Sequence, residues 1–174
     1  MRLPPFKIEE FFERHEFKAS YLLCCSDCES FSVEELLHFE PEVWQSFGKH
    51  WLGYTETHGS PELRNEIVGL YRQISAENVL VHSGGEEGIF VFMNAVLTKG
   101  DHVIIHYPCY QSLREVPRAI GCEVTKWVTR EEDGWELDID FLEQNIRENT
   151  RAIIINCPHN PTGYLMSHEK FSQV

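Results

Sequence analysis

Residues 151–163 read RAIIINCPHNPTG and join an apolar, strand-like run to a segment of Pro, Asn, His and Gly residues. Proline and glycine interrupt regular structure, and Asn-Pro pairs favour turns. Composition alone therefore favours an ordinary turn after the run. The position is still informative, because ligands of open α/β sheets bind beyond the carboxyl ends of the strands. Whether this turn is a ligand site depends on what the rest of the sequence places beside it.

Apolar runs alternate with helical segments from this point back toward the N-terminus. Four short apolar runs predict strands, at residues 78–83 (NVLVHS), 102–106 (HVIIH), 122–128 (CEVTKWV) and 152–156 (AIIIN). Helical patterns separate them at residues 89–97, 108–121 and 137–149, the second with an expected kink or break at Pro117. Strands that alternate with helices of this length predict an α/β fold with a mainly parallel sheet covered on both faces.

Helical signals also mark both ends of the chain. Apolar and acidic residues alternate over residues 6–17 with the spacing of a helix that packs on a larger body. Residues 33–37 predict a short helix. Ser60 is suited to cap a helix that begins at Pro61, and Ser167 is suited to cap a helix in the last residues. The first part of the chain is thus predicted to consist of helical pieces and loops.

The charge and hydropathy of the chain argue against some classes of partner. Its 174 residues are enough for one domain with a sizeable core, and its formal net charge is −13. This charge argues against binding of nucleic acid or anionic membranes through a general basic surface. No apolar run approaches the length of a membrane span, and the first residues lack the apolar core of a signal peptide. We therefore expect a cytoplasmic protein whose partners are small molecules.

The cysteines give a weaker signal. Six are present, and Cys25 and Cys28 form a C-x-x-C spacing. A structural zinc site needs a second pair at matching spacing, and none follows. A redox C-x-x-C usually opens a helix after a strand, which this context does not clearly provide. Buried or incidental free thiols are the favoured interpretation over a metal or redox role.

Three of the predicted strand ends carry unusual residues. SGGEEG at residues 83–88 opens a helix, and glycines at a helix N-terminus let the backbone approach an anion. It is neither G-x-G-x-x-G nor a Walker loop, and alone it favours a plain turn. YPCY at residues 107–110 offers a ring that could stack on a flat ligand, although alone it favours an ordinary surface or core tyrosine. NCPHNPTG offers an asparagine donor. Together the three favour a flat, phosphorylated aromatic cofactor, a description that pyridoxal phosphate fits.

The order of these motifs carries a family resemblance. LGYTETHGSPELR, NVLVHSGGEEG, YPCY and NCPHNPTG resemble the class I/II aminotransferases, the fold-type I enzymes that use pyridoxal phosphate. The resemblance covers residues 50–174, and the preceding residues are similar to the N-terminal arms of capreomycidine-synthase-like members. It implies a three-layer α/β/α fold. Residues 1–50 would form an N-terminal helical arm and part of a small domain, and residues 51–174 the first, incomplete part of the cofactor-binding large domain.

The resemblance implies a role for each candidate site residue. The backbone N–H groups of Gly84, Gly85 and Glu86 would hold the cofactor phosphate. The family often has a small residue and then Gln or an aromatic residue at the last two positions, so the Glu86 carboxylate must point away from the phosphate. Tyr110 would stack on the pyridine ring, and Asn160 would hydrogen-bond the 3-oxygen of that ring.

Other features follow from the same resemblance. Tyr54 would reach the cofactor phosphate of a neighbouring subunit, which implies a homodimer with shared sites. Gly59 and Arg64 are interpreted as structural. Cis peptide bonds are expected before Pro108 and Pro161.

The resemblance also implies what residues 1–174 lack. The lysine that binds the cofactor covalently normally lies downstream of NPTG, and no lysine here stands in a matching context. No catalytic residue is therefore assigned, and His159 is interpreted as structural or at the edge of the site. The expected function is that of the N-terminal part of an aminotransferase acting between an amino acid and a 2-oxo acid. A lyase, cyclase or synthase of the same fold, and an inactive truncated or regulatory fragment, remain alternatives.

Overall fold

The structure is a computed structural model that describes residues 2–174, in which the chain forms two compact units. One unit combines Gly84–Val174 with the N-terminal segment up to Leu23, and the other is Cys24–Ser83. The helices are α1 Lys7–His15, α2 Val33–His38, α3 Val43–Phe47, α4 Pro61–Val68, α5 Gly85–Val96, α6 Gln111–Ile120, α7 Ile139–Asn145 and α8 His168–Phe171. The strands are β1 His102–Tyr107, β2 Glu123–Val128 and β3 Thr150–Ile154.

The three strands form one parallel sheet in the order β2-β1-β3. His102 at the start of β1 lies opposite Glu123 of β2 and Thr150 of β3. The carboxyl ends of all three strands therefore lie at one edge of the sheet. The prediction of a parallel sheet is confirmed.

Helices α5 and α6 cover one face of the sheet. Successive residues of a strand point to opposite faces, and Val103 and Ile105 of the central strand are buried on this side. They pack against Met93 of α5 and Val116 of α6. This apolar cluster holds both helices against the sheet.

The opposite face packs against α7. Ile104 of β1 is buried there with Trp127 of β2 and Leu142 of α7. The indole Nε1–H of Trp127 donates to the Asp138 carbonyl oxygen at 2.8 Å, so the one polar atom of this ring has a partner. With helices on both faces, the predicted three-layer α/β/α arrangement is confirmed.

Several predicted helix starts are present. α1 covers most of residues 6–17, and α2 covers residues 33–37. The side chain of Ser60 accepts from Leu63 N–H at 3.2 Å, and that of Ser167 accepts from Lys170 N–H at 3.2 Å. Both serines cap helices as the sequence predicted.

Two local predictions were wrong. Residues 78–83 form no strand: among the described residues no other strand pairs with them, and the Val81 N–H donates instead to the His58 carbonyl at 2.9 Å. Of the kink or break expected at Pro117, the break does not occur, because α6 continues to Ile120. Pro117 stands near the end of the helix, where few bonds remain to be lost, and its ring is buried.

The boundary predicted at residue 50 differs from the division into compact units and stays a prediction about domains. No helix within residues 2–174 combines the length and the apolar character that crossing a membrane requires.

Candidate functional site

The carboxyl ends of β1 and β3 are tied together at one edge of the sheet. The imidazole Nε2 of His159, in the loop after β3, lies 2.8 Å from the carbonyl oxygen of Pro108, in the loop after β1. Thr129, directly after β2, joins the same edge, since its N–H donates to the Tyr107 carbonyl at 2.8 Å. The sequence placed unusual residues at strand ends, and two of those ends are in direct contact here.

The start of α5 provides backbone donors in open space. Apart from the chain neighbours and the backbone of α5 itself, a Cβ added at Gly84 or Gly85 would meet no atom of residues 2–174 within 4 Å. Gly84 has extended backbone (φ 171°, ψ 169°), which any residue can adopt, and it has no side chain to cap the helix. The first N–H groups of an α-helix have no intrahelical acceptor and carry the positive end of its dipole. The chemistry and the space at Gly84, Gly85 and the exposed Glu86 therefore suit an anionic group.

Tyr110 occupies the N-cap position of α6 and is half-buried. Its ring meets the Phe6 ring edge to face, with centroids 5.1 Å apart and planes at 61°. Gln111 holds the same N-terminal segment: its Nε2–H donates to the Pro5 carbonyl at 2.8 Å, and its Oε1 accepts from Lys7 N–H at 3.1 Å. The ring predicted to stack on a cofactor is thus supported by residues more than a hundred positions earlier in the chain.

Asn160 is exposed at the tip of the loop after β3. Its backbone N–H donates to the Asn156 side-chain oxygen at 2.8 Å, which fixes the backbone on which the Asn160 amide is carried. The loop turns at Gly163, whose φ of 75° lies in the left-handed region that favours glycine, and Gly163 N–H donates to the His159 carbonyl at 2.7 Å.

The predicted cis peptide bonds are present before Pro108 and Pro161. A third, before Pro158, was not predicted.

Two buried histidines are in contact at this edge of the sheet, His159 in the loop and His106 in β1. His159 is 3% exposed, and its ring stacks on that of His106, with centroids 3.6 Å apart and planes at 17°. Burial, with the nearby His159 as a smaller cause, lowers the pKa of His106 to about 4. Burial also lowers the pKa of His159, although its hydrogen bond to Pro108 opposes the shift. Both rings are therefore neutral at physiological pH, and the contacts of His159 are those of a structural residue.

Tyr54 belongs to the other compact unit, where it is 98% exposed. Its role toward a neighbouring subunit stays a prediction. In that unit Arg64 Nε–H donates to the Gly59 carbonyl at 3.1 Å, and its Nη1–H donates to the Ala76 carbonyl at 3.0 Å. Gly59 has a φ of 103°. These contacts agree with structural roles for Arg64 and Gly59.

The cysteines are free thiols, as expected, but those of the C-x-x-C segment are not buried. Cys24 and Cys28 are exposed and Cys25 is half-buried, because this segment lies in a loop outside any helix or strand. Burial raises the pKa of Cys109, which makes its thiol less reactive. Within residues 2–174 no group of three His, Cys, Asp or Glu side chains is arranged to hold a metal ion.

Comparison with known proteins agrees with this geometry. The family model described as "Aminotransferase class I and II" matches residues 22–174. The chain belongs to this aminotransferase family. The family resemblance drawn from the sequence motifs is confirmed.

Individual members of the aminotransferase family match over most of the chain. An aspartate aminotransferase from Pyrococcus horikoshii is 36% identical over 124 residues, which are 68% of this chain and 32% of that protein. Capreomycidine synthase from Streptomyces vinaceus is 26% identical over 163 residues, 92% of this chain and 42% of that protein. The crystal structure of a PLP-dependent aminotransferase from Streptococcus suis superposes with a TM-score of 0.92 at 33% identity, over 99% of this chain and 47% of that one.

These matches establish the fold-type I architecture of the aminotransferase family and include the expected capreomycidine synthase. The chain spans about a third of the length of the aspartate aminotransferase and about half that of the Streptococcus suis structure.

Some site contacts could not be found from the sequence. Phe6 and Gln111 gave no local signal, because their contacts join segments that are far apart in the chain. The sequence predicts His106 only as part of an apolar strand. A histidine in such a strand needs hydrogen-bond partners if it is buried. That requirement is the signal that would have drawn attention to it.

Proposed function

We propose that this chain carries the cofactor-binding part of a pyridoxal-phosphate-dependent aminotransferase, which transfers an amino group between an amino acid and a 2-oxo acid. The observation that carries the proposal is the junction of the two strand-end loops, where His159 Nε2 lies 2.8 Å from the Pro108 carbonyl oxygen. This contact brings the loop of Tyr110 against the loop of Asn160. Family membership and the fit to a PLP-dependent aminotransferase structure support the choice of cofactor.

The residues present fit this cofactor. The backbone N–H groups at Gly84, Gly85 and Glu86 would hold its phosphate, and an added Cβ at either glycine would contact no described residue beyond its own surroundings in the chain. Tyr110 would stack on the pyridine ring, and the Asn160 amide would donate to the 3-oxygen. When bound, pyridoxal phosphate supplies an electron sink for the bond that breaks.

The residues of this chain would bind the cofactor and orient it. The neutral donors at α5 hold an anion without a proton change, while Phe6 and Gln111 limit the movement of the segment that carries Tyr110. The residue that binds the cofactor covalently is proposed to belong to a part of the polypeptide outside residues 1–174, since the relatives are two to three times longer than the matched segment.

The quaternary arrangement is part of the same proposal. The exposed Tyr54 would serve a site shared between the two subunits of a homodimer. Residues 1–50 would form the arm and part of a small domain, and residues 51–174 the first part of the large domain. The protein would act in the cytoplasm, on small-molecule substrates and without nucleic-acid or membrane partners.

Cofactor titration tests the proposal. Protein expressed from the natural gene is freed of cofactor and titrated with pyridoxal phosphate, and the absorbance of the cofactor is followed. Tyr110→Ala and Asn160→Ala should each weaken binding about tenfold, because one removes a stacking ring and the other a hydrogen bond. The matched controls Tyr71→Ala and Asn149→Ala should bind as the parent does. A parent that binds no pyridoxal phosphate contradicts the proposal.

A synthase or cyclase of the same fold is the second candidate function. The match to capreomycidine synthase supports it, since that match extends over 92% of this chain. The two functions separate in one assay, because a transaminase converts at most a single equivalent of amino acid per bound cofactor unless a 2-oxo acid is present. A synthase, cyclase or lyase converts the amino acid without one. A protein that binds the cofactor and converts nothing would be the inactive fragment.

A further inference from the structure

One buried imidazole links the loop after β1 to the loop after β3. Nε2 of His159 lies 2.8 Å from the Pro108 carbonyl oxygen, and Nδ1 lies 2.6 Å from Thr162 Oγ1. The first contact crosses between loops that are 51 residues apart in the chain, and the second stays within one loop. Both ring nitrogens are therefore engaged, each with a different loop.

The partners fix which nitrogen carries the proton. A carbonyl oxygen only accepts, so Nε2–H of His159 donates to Pro108. In the neutral ring Nδ1 is then the acceptor, and the Thr162 hydroxyl donates to it. Thr162 Oγ1 in turn accepts from Tyr164 N–H at 3.3 Å. The donor and the acceptor of each of these three hydrogen bonds are thus determined.

The surroundings favour the neutral ring. His159 is 3% exposed and stacks on the equally buried ring of His106. Among the described residues His106 Nδ1 has no hydrogen-bond partner, and its Nε2 lies 3.4 Å from Thr129 Oγ1. In the part of the chain that the structure describes, no carboxylate is among the hydrogen-bond partners of either ring. A charge on this pair would be poorly solvated, so the ring is held as a neutral, oriented hydrogen-bond bridge.

We propose that His159 is a positioning residue: as the neutral Nε2–H tautomer it holds the Asn160 loop against the Tyr110 loop and so sets the separation of the two cofactor contacts. Asn160 directly follows His159 in the sequence, and Tyr110 lies two residues after Pro108, so each end of the bridge is next to one of the two cofactor contacts. This inference rests on the proposed function for its consequence, but the bridge itself exists without cofactor.

A pair of substitutions separates the two bonds of the bridge. The amide of Gln reaches about as far as Nε2 and can still donate to Pro108, whereas the shorter Asn reaches only the position of Nδ1. His159→Asn should therefore weaken binding of pyridoxal phosphate about tenfold, the effect of one lost buried hydrogen bond. His159→Gln should weaken it clearly less. Equal losses in two folded variants would overturn the proposal, because only the Gln side chain can reach the Pro108 carbonyl oxygen.

Nitrogen-15 NMR of the imidazole in cofactor-free protein tests the bridge independently. We expect a protonated Nε2 and an unprotonated Nδ1 in the parent. Thr162→Val keeps the ring and removes the donor to Nδ1, so it should shift the Nδ1 signal and the Asn160 side-chain amide signal while Nε2 stays protonated, even if the His159 variants fail to fold. A protonated Nδ1 in the parent overturns the bridge. A parent with the expected tautomer that binds no pyridoxal phosphate contradicts the proposed function and leaves the bridge intact.

Discussion

Gly84–Val174 and Cys24–Ser83 both contain large aromatic side chains, but only the first buries them in a core. Trp127 in the sheet is 1% exposed, whereas Trp44 in α3 is 61% exposed. Among the described residues of Cys24–Ser83, Val79 is the one hydrophobic side chain counted as buried. Helices in that unit depend on local caps such as Ser32 and Ser60. The sheet region is organised around two clusters of buried apolar side chains from distant segments, and the described residues of the other unit have no such core.

The largest difference should appear when a tryptophan is removed from each region. Trp127→Ala should lower the free energy of unfolding by about 3–5 kcal/mol, because it opens a cavity and removes the indole N–H that donates to the Asp138 carbonyl oxygen. Trp44→Ala should cost less than about 1 kcal/mol, since its ring is largely exposed. Urea denaturation of protein expressed from the natural gene measures both. Equal losses would show that Cys24–Ser83 is packed as tightly as the sheet.

A second difference should appear in the pH dependence of stability. His106 has a folded-state pKa of about 4 against an ordinary value of 6.5, so the unfolded chain binds more protons between these values. Stability contributed by the neutral ring is present above pH 6.5 and is lost as the pH falls toward 4, by on the order of 3 kcal/mol at about 1.4 kcal/mol per pKa unit.

Substitution tests the source of that slope. His106→Leu should flatten the decline measured by urea denaturation at a series of pH values. His50→Leu, at an exposed position in the other unit, should leave it unchanged. An unchanged slope in the His106 variant would mean that another group causes the decline.

The smallest expected effect concerns a cap in the unit without a large core. Ser60→Ala should destabilise α4 by about 1 kcal/mol, because the Leu63 N–H loses its acceptor. Ser60→Gly should cost only a few tenths of a kcal/mol, as is usual at this position. Hydrogen exchange of the Leu63 amide reports the local change. Exchange unaffected by Ser60→Ala would show that α4 is held by packing and not by its cap.

The same division explains what the sequence could predict. The apolar runs of β1, β2 and β3 predicted strands correctly, because each run pairs with a neighbouring strand in the sheet. The caps at Ser60 and Ser167 were predicted correctly, because each cap hydrogen bond joins residues within one helical turn. Residues 78–83 have the same apolar character, yet Leu80 is 51% exposed and no strand within residues 2–174 pairs with this segment. An apolar run forms a strand only where a neighbouring strand is present to pair with it.

The candidate site shows the same limit. The residue types of the motifs suggested their chemistry, and the order of the motifs identified the family. The Phe6–Tyr110 contact and the His159–Pro108 bond depend on the folded arrangement of distant segments. Periodicity and spacing within a single sequence carry no information about such contacts.

We propose above that this chain is the cofactor-binding part of a pyridoxal-phosphate enzyme. The most direct test of this claim is the intact mass of the protein from its natural source after borohydride reduction, which makes the lysine–cofactor bond permanent. We predict a species well above 20.3 kDa that carries one reduced pyridoxyl-phosphate group. A species of 20.3 kDa without that group would contradict the claim.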